Sequence, residues 1–181
     1  MADTLILVDP QDREIGSADK LYAHQQGLLH RAFSIFIFDS NARLLLQQRA
    51  LGKYHSQGLW TNTCCGHPRP GERTRAAANR RLREEMGLRC TLTPVSTLLY
   101  HEQVSNQLIE HEYDHVYAGI SRTAPIANPE EAHAWRWQNV SGLGPLIAAN
   151  PDAFSVWFVQ IFQHVGPSGL RHWKTLAQRH G

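Results

Sequence analysis

The segment from Trp60 to Glu72, WTNTCCGHPRPGE, places two adjacent cysteines just before a histidine. Thiols and imidazoles both transfer protons and bind metals. In an extended backbone, side chains alternate between two faces, so Cys65 and His67 would enter one cavity while Cys64 points into the core. We therefore expect Cys65, and not Cys64, to lie on the same side of the backbone as His67. A disulfide between the two neighbouring cysteines is the alternative, and such a bridge is rare and strained.

A second group of residues offers ligands for a metal ion. Glu110 and Glu112 fall on a predicted strand, where a spacing of two residues puts both carboxylates on one face. Both can therefore reach one site. Together with His24, His30 and His67 they form a mixed nitrogen and oxygen set, which suits a divalent metal such as Mn²⁺, Zn²⁺ or Mg²⁺.

A fixed spacing of glycine, acidic and basic residues follows the cysteines. Five residues separate Gly66 from Glu72, and seven more lead to the run from Arg80 to Leu88, RRLREEMGL. A helix there would project carboxylates from one face, so that Mg²⁺ could bridge them to a diphosphate. Taken alone, the run is typical of a solvent-exposed charged face. With glycines in register at both ends, we interpret it as a diphosphate-binding element.

This spacing resembles the Nudix box almost throughout. The departure is Arg81, which stands where Nudix hydrolases carry a glutamate. A guanidinium in place of that carboxylate keeps the affinity for a diphosphate but weakens the multi-metal site that activates water. The resemblance therefore predicts that hydrolysis is not the main activity.

The wider pattern resembles type I isopentenyl-diphosphate isomerases, Nudix-fold enzymes that interconvert isopentenyl and dimethylallyl diphosphate. The likeness extends from Lys20 to Trp157 and is strongest in His30–Ser34 (HRAFS), Trp60–Pro68 (WTNTCCGHP) and Glu110–Glu112 (EHE). It implies that Cys65 and Glu112 are catalytic and that Tyr100 assists Glu112. It also implies a metal site at His24, His30, His67, Glu110 and Glu112, a substrate-bound Mg²⁺ at Glu85, and substrate contacts at Lys20, Arg49, Lys53, Arg81 and Trp157.

The implied reaction needs residues of these types. Moving a double bond by one carbon adds a proton at one end of the allyl unit and removes one at the other, through a tertiary carbocation. An alkene is a very weak base, so an acid and a base must stand on either side of it. An aromatic face would stabilise the cation by roughly 2 kcal/mol, which makes Trp157 the first candidate and Trp60 the second. Water must be excluded, because it would trap the cation as an alcohol.

Two other functions fit parts of the pattern. A Nudix hydrolase of nucleoside diphosphate derivatives would use the same box, but Arg81, Cys65 and the paired glutamates argue against it. A non-catalytic metal or diphosphate sensor would use the same fold, because fold alone does not fix function. The intact acid and base argue against the sensor.

Composition narrows the class of protein. The 181 residues suffice for one sizeable core, and we expect a single domain over residues 1–181. With 42% hydrophobic and 19% charged residues and a net charge of +2, the chain resembles an ordinary globular protein. The basic cluster from Arg69 to Arg83 suits a small anion better than a nucleic acid. No signal peptide and no run long enough to span a bilayer are evident, and three cysteines cannot form an even set of disulfides, which favours a reducing compartment. We therefore expect a cytoplasmic protein that binds neither nucleic acid nor membrane. We also expect a monomer.

The helices and strands that must position these residues are mixed along the chain without a regular alternation. Thr74–Met86 is rich in helix formers and Gly87 follows it, which predicts a helix with a glycine cap. Ala32–Phe38 and Arg43–Arg49, joined by a short turn, predict a hairpin. The whole predicts an α+β fold, a Nudix-like α/β/α sandwich around a mixed sheet with extra C-terminal helices. Further strands are predicted at Thr4–Asp9, Cys90–Thr93, Thr97–Glu102, Ile109–Ile120 and Ala134–Gln138, and further helices at Ala18–Gln25, Val140–Ala149, Phe154–His164 and Gly169–Gln178.

Overall fold

The computed structural model describes residues 4–104 and 107–180. The strands are β1 (Thr4–Val8), β2 (Glu14–Asp19), β3 (His30–Phe38), β4 (Arg43–Arg49), β5 (Trp60–Thr61), β6 (Cys64–Gly66), β7 (Thr93–Gln103), β8 (Ile109–Ile120) and β9 (Ala132–Asn139). The helices are α1 (Lys20–Gln26), α2 (Thr74–Met86), α3 (Leu143–Ala149) and α4 (Val156–His180). Short 3-10 turns at Val140–Gly142 and Pro151–Ala153 flank α3.

Strand β3 is the centre of the sheet. Its sequence, HRAFSIFIF, is bulky and apolar, as suits a strand that is buried on both faces. It pairs in parallel with β8, from His30 opposite Glu112 to Phe38 opposite Ile120. It also pairs antiparallel with β6, where Ser34 lies opposite Cys65. The sheet is therefore mixed, as the sequence predicts.

Alternating side chains of β3 enter two separate cores. Phe33 and Ile35 pack with α2 on one face of the sheet. Phe36 and Phe38 pack with α4 on the other face. Because each fully buried side chain of this size contributes about 1.5–3 kcal/mol, the two cores hold helices against both faces. The result is the predicted α/β/α sandwich.

Helix α2 has the bounds that the sequence predicts. Ala77, Ala78 and Leu82 are buried against the sheet, and Gly87 ends the helix with φ 65 and a backbone hydrogen bond to the Arg83 carbonyl. A β-carbon at Gly87 would lie 2.8 Å from the Ile126 carbonyl oxygen. Both the left-handed backbone and the close approach of that loop therefore require glycine.

One predicted strand is wrong. The strand expected at Cys90–Thr93 is absent, and β7 begins only at Thr93. Leu88 and Leu92 are instead buried in the core beside α2. The segment that connects α2 to β7 is therefore apolar because it packs into the core. The predicted hairpin of β3 and β4 is present, with antiparallel pairing at Phe38 and Leu44 beside the turn. Farther from the turn, β3 pairs with β6 and β4 pairs with β9.

The two predicted helices at Phe154–His164 and Gly169–Gln178 are both present and adjoin at a break at Gly166. Helix α4 runs from Val156 to His180 with a non-helical residue at Gly166, where φ is 60, directly before Pro167. Even this helix, like the others in the described ranges, lacks an apolar stretch long enough to cross a membrane. Strand β2 was not predicted, because its polar sequence EIGSAD has no apolar alternation.

Candidate active site

Helix α1 brings the first residues to the site. Asp19 caps its first turn, and Gly27 ends it in a left-handed conformation. Lys20 and His24 are four residues apart and therefore share one face of the helix. That face meets β8, where His24 Nε2 lies 3.1 Å from Glu110 Oε2.

The sheet brings the other residues to the same point. Glu110 and Glu112 occupy one face of β8, and both are nearly inaccessible to solvent. The parallel register places His30 beside Glu112, and β6 leads directly into His67. One atom from each of five residues lies within 4.8 Å of the others, which brings together His24, His30, His67, Glu110 and Glu112.

Backbone contacts fix which nitrogen of two histidines faces this cluster. His24 Nδ1 lies 2.6 Å from the Lys20 carbonyl, and His30 Nδ1 lies 2.8 Å from the Leu28 carbonyl. A carbonyl only accepts hydrogen bonds, so each Nδ1 must carry a proton. Each Nε2 is therefore left to face the carboxylates, as in metal-binding histidines held by a backbone partner.

The cluster fits a divalent metal ion. A neutral Nε2 and a carboxylate oxygen both carry lone pairs, so their close approach needs a proton or a metal cation between them. Burial alone would lower the pKa of His24, but the hydrogen bond and charge of Glu110 raise it, so a proton competes for that position. Burial lowers the pKa of His67 well below its usual range, which keeps it in the neutral form that binds metals. His30 Nε2 is buried and has no hydrogen-bond partner among the described residues.

A cavity of about 60 Å³ adjoins the cluster, and Cys65, Tyr100 and Trp157 line it together with the two glutamates. Cys64 is completely buried in the core beside α2. The alternation of β6 thus directs the neighbouring thiols to opposite faces of the sheet. The alternative of a disulfide between them is wrong, because both are free cysteines.

The groups that line the cavity differ in protonation. Burial raises the pKa of Cys65 to about 12, so the thiol keeps its proton at neutral pH. Burial also tends to raise the pKa of Glu112, but the close approach of His30, whose Nε2 lies 3.6 Å from Glu112 Oε1, and the hydrogen bond from Tyr100 outweigh it, so the net shift of the pKa is downward. The Tyr100 hydroxyl donates its hydrogen bond to Glu112 Oε2. A protonated thiol and an ionised carboxylate therefore share one cavity.

The indole of Trp157 forms another wall of the cavity. Its side chain is buried, and the Arg49 guanidinium carbon lies 5.1 Å from the ring centroid. Arg49 also lines the cavity, and its Nη2 donates to the His55 carbonyl at 3.2 Å. Trp60 instead holds Arg136 over its ring, 4.1 Å from the centroid. Trp157 is thus the tryptophan that the fold brings to the cavity.

A basic pocket of about 500 Å³ lies beside the cavity, and Lys20 and His67 line both. Its other cations are Lys53, Arg69, Arg80 and Arg81, and Glu131 also lines it. An anion bound in the pocket would therefore lie next to the buried cavity.

Arg81 and Glu85 are paired with each other. Arg81 Nη2 lies 2.5 Å from Glu85 Oε1 and 3.0 Å from Glu131 Oε2. The buried Glu85 also accepts a hydrogen bond of 2.9 Å from Gln47 Nε2. Glu85 thus lies beside Arg81 of the basic pocket and outside the cluster of five residues that could hold a metal.

Three residues at the site were not identified from the sequence. His55 Nε2 lies 3.2 Å from Glu110 Oε1, and burial lowers the pKa of His55 to about 3. Asp114 is completely buried, and burial, followed by the charge of Glu112, raises its pKa well above its usual range. Asp114 continues the spacing of two from Glu110 and Glu112, which is a signal that could have found it. His55 and Glu131 reach the site only through folding of distant loops.

Comparison with known proteins places the chain in a family. The NUDIX domain matches residues 28–158. A protein of Serratia proteamaculans named isopentenyl-diphosphate Delta-isomerase is 55% identical over 177 residues, covering 98% of this chain and 99% of that protein. Isopentenyl-diphosphate Delta-isomerase 2 of Photorhabdus laumondii is 51% identical over 176 residues, covering 97% of this chain and 99% of that protein.

A solved structure matches the fold. The crystal structure of DR0079 from Deinococcus radiodurans superposes with a TM-score of 0.74 at 21% sequence identity, covering 90% of this chain and 98% of that chain. Together with the sequence likeness over nearly the whole length, the match confirms the predicted fold. The chain belongs to the isopentenyl-diphosphate Delta-isomerase family of NUDIX-domain proteins.

Proposed function

We infer that this protein isomerises isopentenyl diphosphate to dimethylallyl diphosphate, a 1,3-allylic rearrangement that supplies isoprenoid precursors. The observation that carries this inference is a thiol, a carboxylate and an indole around one buried cavity, directly beside a basic pocket. Such an arrangement suits a reaction at the carbon atoms of a substrate in the cavity, while the diphosphate of the same substrate binds in the adjacent basic pocket. The family membership, at 55% identity to a named isomerase, supports the same activity.

Cys65 and Glu112 are the proposed acid and base. One proton donor and one proton acceptor are what a 1,3-shift requires, and a protonated thiol with an ionised carboxylate provides that pair. After each turnover the two groups have exchanged roles, so a proton must return to the first. Tyr100, hydrogen-bonded to Glu112, is the proposed relay for that return.

Trp157 is the proposed stabiliser of the carbocation. The cation has no hydrogen-bonding group, so attraction to an aromatic face is the stabilising interaction available to it. Burial of the indole and the small volume of the cavity support exclusion of water, which would otherwise trap the cation.

One divalent metal ion, Mn²⁺, Zn²⁺ or Mg²⁺, is proposed at the cluster of His24, His30, His67, Glu110 and Glu112. When bound, it would orient Glu112 and tune the acidity of that group. His55, through its contact with Glu110 Oε1, would hold one of the ligands in position.

The diphosphate is proposed as an anchor in the basic pocket. Lys20, Lys53 and Arg81 would bind it, with Arg49 reaching it from the cavity and Mg²⁺ accompanying it on Glu85. Arg81, in the position where hydrolases carry a glutamate, favours holding the diphosphate over attacking it.

We also propose a cytoplasmic, single-domain monomer that binds neither nucleic acid nor membrane. The free thiols of Cys64, Cys65 and Cys90 support a reducing compartment. Sedimentation of the purified protein over a range of concentrations tests the monomer, since a self-associating protein would sediment faster as its concentration rises.

The activity is tested by incubating purified protein with isopentenyl diphosphate and a divalent metal and separating the products. We expect dimethylallyl diphosphate with its diphosphate intact. A parallel incubation with nucleoside diphosphate derivatives measures phosphate release. Release that is faster than isomerisation would replace the isomerase by a hydrolase.

A further inference from the structure

Glu131 is a carboxylate among the cations of the basic pocket. Its Oε2 atom contacts both Lys53 Nζ and Arg81 Nη2, the latter at 3.0 Å. Lys53 and Arg81 are two of the cations proposed to bind the diphosphate. An incoming diphosphate must therefore compete with Glu131 for the same donors.

The backbone fixes Glu131 in this position. Its carbonyl accepts a hydrogen bond of 3.0 Å from the Ala50 amide, and its amide donates one of 3.0 Å to the Asn128 carbonyl. The Asn128 amide in turn donates to the Glu85 carbonyl at 2.8 Å. The segment before β9 is thus tied to the end of α2 and to the residue after β4, and the carboxylate is held beside Lys53 and Arg81.

Glu131 is also charged at neutral pH. Burial tends to raise its pKa, but the hydrogen bond from Lys53 and the charge of Arg81 outweigh burial and lower it. The side chain is 19% exposed, so solvent screens these pairs only in part. A negative charge therefore already occupies the place where an anion binds.

We propose that Glu131 is a resident counter-ion that lowers the affinity of the basic pocket for diphosphate and so speeds product release. The proposal rests on the proposed function in taking the pocket as the diphosphate site. Substrate and product of an isomerase carry the same diphosphate. Tighter binding of that group would stabilise both equally and would not accelerate the chemical step. It would, however, slow the departure of the product.

The test compares Glu131→Gln with Glu130→Gln, a matched control in the same loop. Glu130 is exposed and lies outside the lining of the pocket, so both variants lose one negative charge and only one loses it at Lys53 and Arg81. Titration calorimetry with inorganic pyrophosphate and Mg²⁺ measures the affinity. We expect Glu131→Gln to bind roughly fivefold more tightly than the unmodified protein, and Glu130→Gln to bind as the unmodified protein does.

Kinetics provide a second readout. In Glu131→Gln, the KM for isopentenyl diphosphate and the inhibition constant of the product should fall by the same factor, while kcat is unchanged or lower. Glu131→Asp keeps the charge and should restore values near those of the unmodified protein. A purely structural role of Glu131 would not lower both constants together.

Three results would overturn the proposal. Unchanged or weaker binding of magnesium pyrophosphate by Glu131→Gln would show that Glu131 does not compete with the anion. Equal tightening in Glu130→Gln would assign the effect to net charge, and equal tightening in Glu131→Asp would exclude charge as its cause. Absence of isomerase activity in the unmodified protein would instead refute the proposed function, and the pyrophosphate titration would still decide the role of Glu131.

Discussion

The buried cavity and the basic pocket lie side by side and share Lys20 and His67, yet their charges are balanced in different ways. In the cavity, carboxylates face imidazole nitrogens that carry lone pairs, and His30 Nε2 has no hydrogen-bond partner among the described residues. In the pocket, Lys53, Arg80 and Arg81 are already paired with carboxylates of the chain. The cavity therefore suits an added cation, either a proton or a metal ion, whereas an anion that enters the pocket would have to displace existing ion pairs.

This difference predicts which kinetic constant each region controls. Changes in the cavity should lower turnover, because its groups are proposed to act on the reacting carbons. Changes in the pocket should alter KM, because its cations are proposed to hold a diphosphate that is the same in substrate and product.

The largest effect is expected from Cys65→Ala, which removes the proposed proton donor or acceptor. Loss of general acid–base catalysis should lower kcat by roughly 10²–10⁴-fold with the fold intact, as measured by product formation and circular dichroism. Cys64→Ala is the matched control, and its expected cost is about 1 kcal/mol of stability with most of the activity retained. Equal loss of turnover in two folded variants would show that the thiols have been assigned to the wrong faces.

The next effect is loss of the metal in His67→Ala and Glu110→Gln. A metal that binds only the folded state stabilises it by mass action, so the rise in Tm on adding Mn²⁺ or Zn²⁺ should disappear in both variants. Elemental analysis of the purified proteins measures occupancy. His101→Ala, an exposed histidine outside the cluster, should keep both the metal and the rise in Tm. Full metal occupancy in both His67→Ala and Glu110→Gln would show that neither residue is a metal ligand.

A smaller effect is expected in the basic pocket, from Lys53→Gln. Loss of one cation should raise the KM for isopentenyl diphosphate roughly tenfold and change kcat less than twofold. Arg171→Gln, on the exposed side of α4, removes a positive charge elsewhere and should leave both constants unchanged. A fall in kcat at constant KM for Lys53→Gln would contradict the expectation that the basic pocket controls KM and the buried cavity controls kcat.

The smallest effect is expected from breaking the ion pair of Glu72 and Arg80, which joins the loop before α2 to the helix. The hydrogen bond from Arg80 lowers the pKa of Glu72 below its usual 4.5. Because the pKa of Glu72 is lower in the folded than in the unfolded protein, the ionised carboxylate stabilises the fold at pH values above the unfolded-state pKa. This contribution is lost as the pH falls through the folded-state pKa. Glu72→Gln should therefore cost less than about 1 kcal/mol of unfolding free energy at pH 7 and nothing in strong acid, as measured by urea titration. A cost that stays the same at both pH values would exclude this ion pair as its source.

The sequence predicts much of the geometry where local periodicity decides it. Glu110 and Glu112 share a face because strands alternate, and Cys64 and Cys65 diverge for the same reason. Thr74–Met86 is a helix because its residues favour one and Gly87 ends it.

Contacts between distant segments could not be predicted in this way. His55 meets Glu110 and Glu131 meets Arg81 across loops whose paths depend on the packing of the whole sheet. The segment Cys90–Thr93 suggests a strand by composition, but in the fold it is a connection whose Leu92 packs into the core beside α2. The pairing of Arg81 with Glu85 is likewise a property of the folded helix and its neighbours.

The chemistry at Cys65 is best tested by following isopentenyl diphosphate in deuterated water by proton and phosphorus NMR. The unmodified protein should produce dimethylallyl diphosphate, introduce deuterium at the carbons of the allyl unit and leave the diphosphate signals intact. Cys65→Ala, folded and loaded with metal, should do none of this at a comparable rate. Release of phosphate by the unmodified protein, or deuterium incorporation by Cys65→Ala at the unmodified rate, would contradict a carbon-centred reaction in the cavity of Cys65 and Glu112.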